Sequence, residues 1–179
     1  MATQLDNSQQ SLLKTLAKEQ LRMNLLERYY DGDAPLPEGA DGQSRAYRRF
    51  QKKARLNLAQ LSVAAVRERM RIGGFRTGAD DDENGDAAAR RLWKANKLDV
   101  YSADLHSFFL KFGEAYAIVG MKEGREYPLV TVEDPRQIHT YCNPEDPSEI
   151  YAAVKVFSEA GYHHAYFYYP DQIQVFHKE

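Results

Sequence analysis

The sequence predicts an α+β fold, with N-terminal helices packed on a C-terminal antiparallel β-sheet. Three observations predict it. Up to residue 113, apolar residues recur at spacings of three and four, the helical period. From residue 114 onward, short apolar runs alternate with turn residues. The two regimes meet in Leu98 to Met121, where a helix runs straight into a strand. The expected organisation is one region over 1–179, helical over 11–113 and strand-rich over 114–177.

A first helix is expected from Ser11 to Tyr30. Leu12, Leu16, Met23, Leu26 and Tyr30 form its apolar stripe, and Lys14, Lys18, Arg22 and Arg28 take the wet side. Asp31-Gly32 and the prolines of the following segment end it. A second helical stretch runs from Ser44 to Ile72, with Tyr47, Phe50, Ala54, Leu58, Leu61 and Ala65 in helical register. The pattern leaves open whether Asn57 divides it, and Gly73-Gly74 is the expected stop. Asp86 caps a short helix to Asn96, with Leu92 and Trp93 inward.

In the central unit Leu105, Phe108, Phe109 and Phe112 share a helical face. Asp99 or Ser102 is the expected cap, and Gly113 the left-handed residue past the end. Ala115 to Met121 is apolar on both faces, as a strand covered on both sides would be. Five further strands are expected: Leu129 to Glu133, Arg136 to Tyr141, Ile150 to Phe157, Tyr162 to Tyr169 and Ile173 to Phe176. Their short connections describe a meander, hence an antiparallel sheet.

A hydrophobic content of 43% and a charged content of 28% suit a water-soluble domain with a core. The net charge of -2 conceals an asymmetry. Residues 1–76 carry about +6 and the remainder about −8. From Arg45 to Arg76 the only acid is Glu68. The single cysteine, Cys142, excludes a disulfide within the chain and suits a reducing compartment. No apolar run approaches the ~20 residues of a membrane span, and the polar N-terminus lacks a signal-peptide pattern, so a cytoplasmic protein is expected.

Gly73 and Gly78 have the spacing that opens a phosphate-binding loop. Ala79-Asp80 then stand where Lys and Ser/Thr would hold phosphate and magnesium. Asp80, Asp82, Asn84 and Gly85 match the start of a calcium loop, but Arg91 occupies the position of the bidentate Glu. The alternative is a solvated acidic loop that favours the next helix through its dipole. His163 and His164 are adjacent on a strand and so face opposite ways; His106, His139 and His177 are isolated in sequence. Cys142 has no histidine partner nearby in sequence. No serine elbow and no acid–base carboxylate pair stands out, and no catalytic residue, cofactor or resident metal is expected.

The sharpest charge feature is Arg45, Arg48, Arg49, Lys52, Lys53 and Arg55. Arg45, Arg48, Lys52 and Arg55 share a helical face. That face could meet phosphates, an acidic protein surface or only water. Tyr162, Tyr166, Phe167, Tyr168 and Tyr169 could stack on bases or pack across strands.

The order of LERYYDGDAPLP, AAVRERMRIGGFR, RLWKANKLDVYSADLHSFFLKFGEAYAIVG, PLVTVEDPRQI and YPDQIQVF resembles the N-terminal part of a tailed-bacteriophage portal protein, of the siphophage and prophage type. The resemblance begins near Leu12. It implies a structural, non-catalytic subunit of a homo-oligomeric ring, usually a dodecamer, at one capsid vertex, the head-tail connector, assembled in the host cytoplasm. Double-stranded DNA would pass through the channel during packaging and ejection. Terminase, major capsid or scaffold protein, and head-completion and tail proteins would be its partners. This chain would be the wing-like part of a longer subunit. The basic half and the acidic half would then be complementary sides of neighbouring subunits. The alternative is a small nucleic-acid-binding regulatory protein that uses helix 45–55.

Overall fold

The computed structural model describes residues 5–35, 44–53, 56–76 and 85–178. The helices are α1 (Asn7–Tyr30), α2 (Arg45–Lys53), α3 (Leu58–Arg67), α4 (Ala87–Ala95) and α5 (Leu98–Phe112). The strands are β1 (Tyr116–Gly120), β2 (Leu129–Glu133), β3 (Ile138–Cys142), β4 (Ile150–Glu159), β5 (Tyr162–Tyr168) and β6 (Ile173–Lys178). Every strand pair is antiparallel, and the α+β class holds. The chain forms two compact units. One comprises Met1–Asn24 with Asp134–Glu179, the other Leu25–Glu133.

The expected single meander is two sheets: a β1–β2 hairpin and a four-stranded sheet in the order β3-β4-β5-β6. The break is a 3-10 turn at Pro135–Gln137. Asp134 caps it by accepting from the Arg136 N–H, and Pro135 at its start donates nothing to a ladder.

In the first unit, the N-terminal part of α1 packs on the four-stranded sheet. Leu12 and Leu16 meet Ala152 and Val154 of β4 and Phe167 of β5, with Phe176 edge-on to Phe167 at 5.5 Å. The helix starts four residues before the expected Ser11. Asp6 Oδ1 accepts from the Gln9 N–H (2.8 Å) and Gln9 Oε1 accepts from the Asp6 N–H (3.0 Å), a reciprocal capping box. Gln9, only 2% exposed, also donates through Nε2 to Gln174 Oε1 of β6, so its buried amide is satisfied. Gln20 donates to the Arg136 carbonyl, and Glu19 meets His139 Nδ1 at 2.9 Å.

In the second unit, α5 packs on β2, α3 and α4. Gly113 takes φ +84 and ends α5 as expected. The start differs from expectation. Lys97, itself left-handed at φ 53, precedes α5 and makes no side-chain cap, Ser102 lies inside the helix, and Asp99 instead accepts from Trp93 Nε1 (2.8 Å). The buried line of α5 is Leu98 and Phe112, with Leu105 and Phe108 half-buried. Phe109 is 53% exposed, because a narrow helical stripe leaves one member of an i+3/i+4 pair on its rim. Strand β1 is likewise not covered on both sides. Val119 is 64% exposed and Met121, just past the strand's end, 70%, as a two-stranded ribbon with one helix behind it permits.

Asn57 does divide the second helical stretch. Its Oδ1 accepts from the Gln60 N–H to cap α3, while Nδ2 donates to the Tyr30 carbonyl at the end of α1 (2.7 Å). Helix α3 ends at Arg67, not at Ile72, so Gly73-Gly74 is not its stop. Both lie in an irregular segment and neither has positive φ. That segment is anchored through Phe75, whose carbonyl accepts from the Asp86 N–H (2.8 Å) and whose ring lies 5.3 Å from Trp93. A Cβ at Gly85 would sit 2.8 Å from the same carbonyl oxygen, which fixes glycine there. Asp86 caps α4 by accepting from the Ala88 and Ala89 N–H groups.

Candidate interaction surface

The helical stretch that carries the basic run does not bury its apolar stripe. On α2, Tyr47 is 45% and Phe50 66% exposed. Nearby in sequence, Leu56, Leu58, Leu61 and Val66 are all exposed, and no residue of α3 is fully buried. Single scattered apolar residues in water are ordinary, and a run of them at helical spacing is not. Arg45, Arg49 and Lys53 of α2 are exposed with Tyr47 and Phe50. Arg48 and Lys52 are placed on α2 by their backbone, and Arg55 lies outside the described residues. Helix α2 thus carries exposed cations and exposed aromatic rings together.

The aromatic set on β5 is divided by strand alternation. Phe167 is wholly buried and Tyr169 packs beside it, while Tyr166 belongs to the opposite face, edge-on to Phe157 at 5.4 Å. The central ring, Phe167, is therefore core, and Tyr162, Tyr166 and Tyr168 share the opposite face.

The histidines separate as expected and then find partners that sequence spacing hides. His163 Nδ1 meets Ser158 Oγ (2.8 Å), its cross-strand neighbour, and His164 Nδ1 meets His177 Nδ1 (2.6 Å) on the other face. The register that pairs His164 with His177 brings together residues thirteen apart. Cys142 follows the irregularity between Tyr141 and Cys142 and sits 3.8 Å from Thr140 Oγ1. Among the described residues no group of three or more His, Cys, Asp and Glu is placed to hold a metal. The calcium candidates Asp80, Asp82 and Asn84, and Gly78 of the phosphate-loop spacing, lie outside the described residues.

One part-buried charge pair has no sequence signal. Lys111 Nζ, on a side chain only 9% exposed, bonds both carboxylate oxygens of Glu27 (2.8 and 3.0 Å) and lies 4.7 to 5.5 Å from the ring centres of Tyr30, Phe108 and Phe112. It joins the C-terminal part of α1 to α5 within the second unit.

Three carboxyl or phenol groups are shifted by their hydrogen bonds. The Gln9 N–H, then the Ser8 hydroxyl, hold Asp6 below the usual carboxylate range. The Ser148 hydroxyl and N–H do the same to Asp146, and the Glu126 carboxylate raises Tyr127. Each belongs to a cap or turn at the surface.

The chemistry is that of a contact-making structural domain: caps, ion pairs and hydrogen bonds that set helix corners, and apolar side chains left outside. The chain belongs to the phage portal protein family. The sequence model of that family, described as phage portal protein, SPP1 Gp6-like, matches residues 10–179. Its role is accordingly structural, at the head-to-tail connection of a bacteriophage. Comparison with curated proteins gave no match. No helix among the described residues is long and apolar enough to cross a membrane.

Proposed function

We propose that this chain is the wing-like portion of a portal subunit and that α2 and α3 contact a neighbouring subunit in a closed ring of roughly twelve copies. The ring would provide the channel for double-stranded DNA in packaging and ejection, and the platform on which terminase and head-completion proteins dock. The observation that carries the contact is the exposed stripe of Tyr47, Phe50, Leu58 and Leu61, with Arg45, Arg49 and Lys53 on α2. Head-to-tail association needs two different surfaces that complement each other. The second half of the sequence, at about −8, supplies the opposite sign.

The test is the mass of the full-length subunit in solution, wild type against Arg49→Glu with Phe50→Asp. A ring for the wild type and smaller species for the variant is the expected result. A ring of unchanged mass in the variant removes α2 from the interface. Salt-sensitive binding of duplex DNA by this chain, lost in the same variant, would instead assign the basic helix to nucleic acid.

A further inference from the structure

The β1–β2 hairpin has an outer edge at β2 that is only partly occupied. Val130 stands opposite Val119, and its N–H points away from β1, because it donates to Asn96 Oδ1 (3.0 Å). The same side chain donates through Nδ2 to the Pro128 carbonyl (2.9 Å). Asn96 is 5% exposed and fixed to its own helix by a second Nδ2 bond, to the Leu92 carbonyl. A residue of a parallel strand laid against Leu129 would make this same pair of bonds, donating to the carbonyl before it and accepting from the N–H after it. The Asn96 amide therefore occupies the first rung of a missing third strand.

The next rung is the Val130 carbonyl and the Val132 N–H. By ladder alternation both point to the same outer edge as the Val130 N–H. They border a cavity of about 450 Å³, walled on its other side by Lys97, Tyr101 and Arg125. Lys97 is held in its left-handed conformation at the corner between α4 and α5, where its N–H donates to the Lys94 carbonyl and its own carbonyl accepts from Val100 and Tyr101. A non-glycine residue kept at positive φ on a cavity rim is positioned at a cost. Among the described residues, neither Lys97 nor Arg125 forms an ion pair.

The geometry points to a strand-docking site: β2 accepts an extended, acidic segment of a partner protein as a third, parallel strand. Its backbone would bond the Val130 carbonyl and the Val132 N–H, with its carboxylates on Lys97 and Arg125. Backbone bonds supply affinity in this recognition mode and the flanking charges supply selectivity. The hairpin has reason to accept a strand, since a two-stranded ribbon is marginal and its edge is a template for pairing. This inference stands apart from the ring contact assigned to α2 and α3, and its test does not depend on ring assembly.

The experiment titrates the intact chain with a blocked, fluorescent peptide that alternates valine and threonine between glutamates. Three controls accompany it: the same peptide with lysines, the same peptide N-methylated on alternate residues, and the protein variant Lys97→Glu with Arg125→Glu. Expected results are saturable binding of the acidic peptide, slowed hydrogen exchange at the Val132 amide, and binding at least roughly tenfold weaker for each control. The N-methylated peptide leaves the protein untouched, so its failure to bind is independent of any folding defect in the variant. Equal binding of the lysine or N-methylated peptide would overturn the proposal, as would unchanged Val132 exchange. Protection of Val132 that rises with protein concentration alone would overturn it too, by giving the edge to a second copy.

Discussion

The two units of the chain use their hydrophobic residues in opposite ways. In the first, α1 and the four-stranded sheet enclose Leu16, Val154 and Phe167 almost completely. In the second, the buried line of α5 coexists with α2 and α3, whose apolar residues stay exposed. Both stripes have the same helical period in the sequence. The difference teaches that periodicity declares an apolar face, without declaring whether the chain itself buries it.

The largest expected effect breaks this comparison most directly. Phe167→Ala should cost about 3–5 kcal/mol, because Phe167 is wholly buried and its loss opens a cavity. Leu61→Ala, at a residue 63% exposed, should leave the stability of the isolated chain within about 0.5 kcal/mol. Denaturant titration of both variants checks the pair. A large loss at Leu61 would mean that the chain covers its own α3 face.

An intermediate effect is expected at the Lys111–Glu27 pair. Lys111→Met should cost about 2–3 kcal/mol, below the range for a fully buried pair because Glu27 remains 22% exposed. Adding Glu27→Leu should recover most of the loss, since no charge is then left without its partner. Trp93, the only tryptophan, lies in the second unit and reports its unfolding by fluorescence. A double variant no more stable than Lys111→Met would show that the rings around the ammonium, not the carboxylate, hold the corner.

The smallest effect concerns the start of α1. Asp6 is held below its ordinary pKa by the Gln9 N–H and the Ser8 hydroxyl. A depressed folded pKa contributes stability that is present above the unfolded value and is lost as pH falls through the folded one. The protection of the Gln9 amide, measured relative to its intrinsic exchange rate at each pH, should therefore fall on acidification through the carboxylate range. Asp6→Ala should show low protection at Gln9 throughout, with no acid-dependent step. A step that persists in Asp6→Ala would assign the dependence to another group.

Much of this architecture is legible from local pattern. The stripe Leu12, Leu16, Met23 predicts the buried side of α1, Gly113 predicts the end of α5, Asp86 predicts the cap of α4, and the turn residues place all six strands. The start of α1 was written as Asp6-x-x-Gln9 and outranks the apolar period that suggests Ser11, because a cap acts before the first apolar residue. The surface at α2 was legible as charge and period together. His164 with His177, Lys111 with Glu27, and Asn96 with β2 were not, since each joins residues whose separation depends on register or on a helix corner.

The sequence by itself determined which segments are helix and which are strand, the antiparallel sense of the strands, the charge asymmetry and membership of the portal family. Those properties follow from interactions within a few residues or from the order of segments. Only the tertiary structure decided that the six strands form two sheets, that the stripe on α2 and α3 stays in water, and that Asn96 takes one rung of the β2 edge. These depend on which surfaces remain after the chain has packed. Side-chain geometry across long sequence separations settles that, and no local pattern encodes it.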